Sequence, residues 1–358
     1  MAGTADPAGM VRANVRATIV GFLAAAAVFA LLFSFAGIDD LLATLRAADA
    51  AVIGLVAAAT TAWLLAWAVS LHTVLGILGV GLSYPTSFLV FSGATFANNV
   101  TPFGQAGGEP ITAFLISRVA DAEYERGLAA IASVDTLNFV PSITIALIGA
   151  GYFATEVALG ANRNLLAAVG AVVALAVTVP TLVYLGWRRR YGVEARVVAG
   201  LTPIIRRVAD RLPRVPVPTP EGIEARIDGF FRAIERVAAN PRGLAVALVA
   251  SAVGWLLQTV ALRLAFDAVG VHVPLSVVLV VVPIGAIAGV TPLPGGAGGI
   301  ETVLVVLLLA APLPQVTEAT AVAAVVICRG AVYWSPTLLG GLVVAWIGSG
   351  LGIRAGSG

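Results

Sequence analysis

Lysine is absent. All 21 basic residues of this 358-residue chain are arginine. That excludes the P-loop, whose lysine reaches the nucleotide phosphates, and every Schiff-base or lysine-nucleophile mechanism. Charge of either sign is scarce, 11 % of residues against about 25 % in an ordinary soluble domain. With 59 % apolar residues and a mean hydropathy of +0.99, the chain cannot supply the polar surface that a soluble protein of this length needs. The one cysteine, Cys328, excludes an intramolecular disulfide. It sits in an apolar stretch and reads as a small buried residue. The two histidines, His72 and His272, are isolated and read as core or interfacial side chains. No metal-ligand spacing and no nucleophile–base arrangement stands out, so the chain is not read as an enzyme and no cofactor is expected. A soluble enzyme, a disordered chain and a disulfide scaffold are all excluded. What is left is an all-α, multi-pass membrane protein, since about 20 apolar residues make one helical span.

Six full spans are predicted. The first follows a polar N-terminal segment, 1–16, and runs from Ala17 to Ile38; at that length it is a poor match for a cleaved signal peptide. Residues 39–49 read as a short polar connection. The second span covers Ala50–Gly76, the third Gly127–Phe153 with Asp135 and Asn138 embedded, and the fourth Asn164–Trp187. The fifth covers Gly243–Phe266, with Arg263 near its end, and the last Ala319–Ile347, with Arg329 inside it. Two further apolar stretches, Phe88–Ser117 and Leu275–Ala311, are each broken by glycine and proline and read as re-entrant helical hairpins. Counting each hairpin as a crossing gives eight.

The remaining charge is unevenly placed. Residues 188–242 hold 12 arginines and 6 acids, a balance of +6, while the rest of the chain holds 9 arginines and 13 acids, a balance of −4. Cytoplasmic loops are enriched in basic residues, so 188–242 is placed inside, and counting outward from it puts both termini inside. Val193, Val197, Leu201, Ile204, Ile205 and Val208 recur at helical spacing, as do Ile223, Ile227, Phe230, Ile234 and Val237. Pro213, Pro216, Pro218 and Pro220 stiffen the link between the two stretches. This is the pattern of an amphipathic hairpin on an anionic leaflet. Only Phe230 and Phe231 could stack on bases, so nucleic acid is not an expected partner. The organisation is thus an N-terminal segment (1–16), a first membrane half (17–187), the basic segment (188–242), a second membrane half (243–350) and a tail (351–358).

Two segments resemble each other. The first reads Val100-Thr-Pro-Phe-Gly-Gln-Ala-Gly-Gly-Glu109. The second reads Val290-Thr-Pro-Leu-Pro-Gly-Gly-Ala-Gly-Gly-Ile-Glu301. They lie at 98–110 and 288–301, with three predicted spans between them. An odd number of crossings makes them an inverted repeat, and paired Gly/Pro-interrupted segments point to a transporter's binding site. Irregular backbone cannot face lipid, so these turns must line an enclosed cavity. Thr101, Pro102, Gly107 and Gly108 in the first turn, and Thr291, Pro292, Gly295, Gly296 and Gly299 in the second, are the candidate binding backbone. The N–H groups that open each half-helix suit a phosphate or carboxylate. Glu109 and Glu301 read either as caps of those half-helices or as titratable or ligand-binding carboxylates at membrane depth. Arg118, Arg263 and Arg329 are candidates for head-group contact, with snorkelling to the interface as the other reading of Arg118. Asp135 is the expected counter-ion for an arginine.

At these residues the chain resembles the integral membrane region of bacterial lysylphosphatidylglycerol synthases, the flippase-like or UPF0104 family. The similarity lies in Thr101-Pro102 with Gly107-Gly108-Glu109-Pro110, in Thr291-Pro292-Leu293-Pro294-Gly295-Gly296 with Gly299 and Glu301, and in Arg329 with Tyr333-Trp334, Pro336 and Gly340. It extends over about residues 15–350. The resemblance implies a helix bundle with re-entrant helices that moves a lipid between leaflets of the cell membrane. The substrate would be an anionic or aminoacylated phospholipid, or a lipid-linked precursor. Membrane lipids are the implied partners, with a second copy of the chain or a separate lipid-modifying enzyme beside them. The family's usual residue before the terminal arginine is aromatic; here it is Cys328. A membrane-embedded lipid-modifying transferase, with Glu109 or Asp135 as base, and a secondary transporter of a small anionic solute are the alternative readings.

Overall fold

The computed structural model describes residues 7–101, 105–157, 229, 231–291 and 293–348, and all regular structure among them is helical. Among the described residues, six helices precede the basic segment: α1 (Pro7–Ala36), α2 (Ile38–Ala47), α3 (Ala50–Ile77), α4 (Tyr84–Val100), α5 (Gln105–Ala120) and α6 (Tyr124–Val157). After it come α7 (Pro241–Ala268), α8 (Leu275–Ile287), α9 (Gly299–Ala310), α10 (Glu318–Arg329) and α11 (Ser335–Gly348). A five-residue π-helical segment, Gly330–Trp334, joins α10 to α11 into one continuous rod. Among the described residues, four helical stretches are long and apolar enough to cross a membrane: Ala50–Ile77, Tyr124–Phe153, Pro241–Ala268 and Glu318–Ile347. These are the second, third, fifth and last predicted spans. The fourth, at 164–187, lies outside the described residues, as does nearly all of the basic segment. Its end, residues 231–238, is helical and buries Ala233 and Val237.

The long helices end where local chemistry stops them. Asp49 caps α3, its carboxylate accepting the N–H groups of Ala51 at 2.8 Å and Val52 at 3.3 Å. Asn240 caps α7 by accepting Gly243 N–H at 2.9 Å, with Pro241 in the first turn. Gly79 closes α3 and Gly270 closes α7, at φ of 77° and 75°. Each glycine stands five residues before the next helix, α4 or α8.

One expectation is corrected at the N-terminal side. Residues 39–49 do not form a plain connection. Ile38–Ala47 is a helix, turned by 88° from the preceding one at Gly37, which has φ 78°. Asp39 and Asp40 lie in its first turn and Arg46 in its last, charges that suit the helix dipole. Leu41 is its buried residue. The helix before it begins at Pro7, ten residues ahead of the predicted span.

The core is built around α3 against α7, which run antiparallel. Asp49 N–H donates to Ala268 C=O at 2.8 Å at one end, and Gly243 faces Ile77 at the other. Midway, Gly254 leaves room for the indole of Trp67, which donates to Ser251 C=O at 3.1 Å. Trp67 also packs edge-on to Trp255 and Trp63. Asn138, 4 % exposed, ties α6 to this pair: its side-chain oxygen accepts from Ser251 Oγ and its carbonyl from Trp255 Nε1.

The two interrupted stretches fold as helical hairpins, α4 on α5 and α8 on α9. Their outer packing is reciprocal. Helix α4 of the first hairpin lies on α11, which follows the second hairpin, and α8 of the second lies on α6, which follows the first.

Candidate functional site

The turn of the second hairpin is made of glycine and proline because nothing else fits. Gly295, Gly296 and Gly298 have φ of 57°, 66° and 86°. A Cβ on Gly295 would lie 2.6 Å from the Tyr333 ring and 2.9 Å from Asn99 Oδ1. One on Gly296 would lie 2.8 Å from Gly289 Cα. Helix α9 then opens at Gly299, and Glu301 folds back so that Oε2 accepts Gly298 N–H at 2.6 Å. Its other oxygen, Oε1, accepts Arg329 Nε at 2.7 Å. Glu301 is 2 % exposed, so the anion at this helix N-terminus is the chain's own carboxylate. Arg329 also points toward Gly295 C=O, 3.4 Å away, and lies 5.7 Å from the Tyr333 ring centre.

Tyr333 carries the connection to the first hairpin. Its hydroxyl donates to Asn99 C=O at 2.9 Å, while Asn99 Nδ2 donates to Tyr333 C=O at 3.2 Å and to Thr337 Oγ1 at 2.8 Å. Tyr333 lies in the π-helical segment. Pro336 explains that wide turn: it has no N–H to give, and its ring would clash with Val332 C=O in a regular α-helix. Thus Asn99 at the end of α4, Gly295 in the second turn, and the Arg329–Tyr333 stretch meet at one place.

The first hairpin is built differently from expectation. Helix α5 opens at Gln105, so Gly107 and Gly108 lie in its first turn and Glu109 beyond it. Glu109 is therefore not a cap of the Glu301 kind. Its carboxyl lies within hydrogen-bonding reach of that of Asp135 on α6. The expected arginine partner for Asp135 is thus replaced, among the described residues, by a second acid. Gly108 lets α5 close on α4, where an added Cβ would sit 2.7 Å from Asn98 N. Three polar atoms at the hairpins are buried without a hydrogen-bond donor or acceptor: Asn98 Oδ1, Asp135 Oδ2 and Thr291 Oγ1. Orphans of this kind each cost about 1–3 kcal/mol and call for an explanation.

Other candidate residues lie elsewhere. Thr101 Oγ1 donates to Ala97 C=O at 2.6 Å at the end of α4. Pro102 and Pro292 lie outside the described residues. Arg118 is exposed with its guanidinium 5.4 Å from the Phe114 ring. Arg263 lies twelve residues, about 18 Å, along α7 from Ser251. His72 stacks on Tyr84 and meets Ser87, and His272 pairs with Asp267 at 2.8 Å. Cys328 is buried. Sequence reasoning passed over Asn98, Asn99 and Thr337. The signal was present: two adjacent carboxamides in an uncharged run just before Thr101-Pro102.

The chain is similar to known membrane proteins. The family described as the lysylphosphatidylglycerol synthase TM region matches residues 18–340. A UPF0104 membrane protein of Methanothermobacter thermautotrophicus is 27 % identical over 348 residues, covering 94 % of this chain and 95 % of its own. A UPF0104 membrane protein of Pyrococcus horikoshii is 27 % identical over 320 residues, covering 88 % and 92 %. The chain is a membrane protein and belongs to the lysylphosphatidylglycerol synthase transmembrane-region family.

Proposed function

We propose that this protein is a translocase, without enzymatic activity of its own, that moves an anionic or aminoacylated phospholipid, or a lipid-linked precursor, between the leaflets of the cell membrane. The observation that carries the reading is the meeting of the two hairpins, Asn99 and Gly295 closing on the Arg329–Tyr333 stretch. Gly/Pro-broken helices that meet inside a bundle are how transporters place irregular backbone around a ligand without exposing it to lipid. The reciprocal packing of α4 on α11 and α8 on α6 supports an inverted repeat, because exchanging the halves turns one contact into the other. So does position: Asp135 is the twelfth residue of α6 and Arg329 the twelfth of α10, and each meets the glutamate of its own hairpin. Two similar halves of opposite orientation can alternate access about a shared site by rocking against each other.

The test is movement of fluorescent phosphatidylglycerol, its lysyl ester and a polyprenyl phosphate in proteoliposomes, read by quenching of the outer leaflet. Faster exchange of at least one over protein-free vesicles is expected. Exchange no faster than in protein-free vesicles overturns the reading, and chemical conversion of the lipid in place of movement replaces it with the transferase.

A further inference from the structure

Glu301 and Glu109 hold corresponding places in the two hairpins, but their partners have opposite chemistry. Glu301 has the Arg329 guanidinium, so the second pair is neutral as it stands. Glu109 has the Asp135 carboxyl. Two ionised carboxylates in contact at membrane depth repel each other, and neither is stabilised by its neighbour. A hydrogen bond between two carboxyl groups needs one proton.

Among the described residues, no other positive charge stands beside the pair. Asp135 Oδ2 is buried, and no N–H or hydroxyl donor reaches it. Helix α4 brings Asn98 and Asn99, α8 brings no ionisable residue, and the one ionisable residue of α3 is His72, which faces Ser87 and Tyr84. On α7, Arg242 and Arg263 lie about 14 Å and 18 Å along the helix from Ser251, the level of Asn138, in opposite directions, and on α5, Arg118 is nine residues, about 14 Å, beyond Glu109. At the start of α6, Arg126 pairs with Glu123 at 3.2 Å, Glu125 lies beside Tyr124, and Tyr124 adds a phenol within electrostatic reach of Glu109. Glu109 itself is partly exposed. It is the more accessible carboxyl of the pair, Asp135 Oδ2 being buried.

We infer that Glu109 and Asp135 form a proton-binding site, in which a single exchangeable proton takes the place that the Arg329 charge occupies in the other half. Resting on the translocase reading above, loading and release of this proton couple lipid movement to the proton gradient. Loaded, the pair shares one proton, carries one negative charge and is held closed by the O–H···O bridge. Unloaded, it carries two like charges that push α5 from α6. The proton passes from water on one face to Glu109, bridges to Asp135, and is released from the same carboxyls to water on the opposite face once access has alternated; no bond other than O–H forms or breaks.

Two measurements test this. The first is infrared difference spectroscopy of the purified protein in nanodiscs, without substrate, across a pH titration. A protonated-carboxyl band is expected in the unaltered protein. It should be lost in both Asp135→Asn and Glu109→Gln and kept in Glu318→Gln, an exposed acid. A band that persists in both pair variants overturns the site. The second uses proteoliposomes with an imposed pH gradient. A one-proton cycle shifts the steady leaflet ratio of labelled lipid about tenfold per pH unit, and Asp135→Asn abolishes that dependence. A ratio indifferent to the gradient in the unaltered protein, with lipid still moving, overturns the coupling. If no lipid moves at any gradient, the translocase reading and the coupling fall together, while the infrared band decides the proton site by itself.

Discussion

At the scale of single residues, Glu301 and Arg329 are bound into each other's energetics. Glu301 is 2 % exposed and uses both oxygens inside the protein, one on Gly298 N–H and one on Arg329. Removing one member of a buried pair strands the other, at about 3–5 kcal/mol. Arg329→Gln leaves a bare carboxylate in the bundle and should lower thermal stability by an amount of that order, measured in nanodiscs. Glu301→Gln should cost less, because a carboxamide oxygen still accepts Gly298 N–H and the stranded guanidinium keeps Gly295 C=O and the Tyr333 ring. Equal losses in the two variants would show that the cap contributes nothing. Lipid movement should fall in both, and near-normal movement in both would confine the pair to a structural role. The sequence showed that the two glutamates matter at their hairpins but not how they differ. That difference depends on which residue of the following span faces each one, Asp135 or Arg329, and only the folded hairpins decide it. Gly108 is simpler. A methyl there meets the backbone of Asn98 at 2.7 Å, so Gly108→Ala should force α5 off α4 at about 1–3 kcal/mol. Loss of lipid movement at normal membrane abundance is the expected result.

Elements differ in how plainly the chain announces them. The four described spans were legible to within three residues at every end. Uncharged apolar runs longer than a bilayer is thick leave few alternatives, and Asp49, Asn240 and Thr317 mark their starts. Helix α2 was not legible, because its acids, a single arginine and only one buried leucine look like a loop. The π-helical segment could not be read either. Pro336 signals a break, but whether a helix kinks, stops or widens depends on what it packs against, here Asn99 holding Tyr333 and Thr337. Pro336→Ala restores the missing N–H and removes the clash with Val332 C=O. The segment should then relax toward α-helix, rotating Tyr333 away from Asn99 and slowing lipid movement without loss of fold. A Tyr333→Phe variant, which removes only the hydroxyl on Asn99 C=O, should slow it less. The reverse order would detach the wide turn from function. Helix α11 meets α4 so closely that a Cβ on Gly340 would lie 2.0 Å from Ser92 C=O. Gly340→Ala should therefore separate the two helices and lower membrane abundance, which a fluorescent fusion would report.

The whole molecule is organised by a charge imbalance and by two interrupted hairpins. A segment with a balance of +6 is expected on the cytoplasmic side, since moving arginines across against the positive-inside bias is unfavourable. On the inverted-repeat reading proposed above, the two hairpins would enter from opposite faces, each bringing its broken turn toward the place where Asn99, Gly295 and Tyr333 meet. Both statements can be checked with single cysteines in a Cys328→Ser background, where no native thiol competes. Arg214→Cys should react with a membrane-impermeant maleimide only after the cells are opened. Thr101→Cys and Thr291→Cys, one at each hairpin turn, should react from opposite sides when a side-restricted reagent is applied to inverted and right-side-out vesicles. Slow reaction of both is expected, because each turn is packed against the other half. Labelling of Arg214→Cys from outside intact cells would reverse the orientation of the entire chain. Reaction of both threonine positions from the same face would remove the inverted repeat, and with it the physical basis for alternating access.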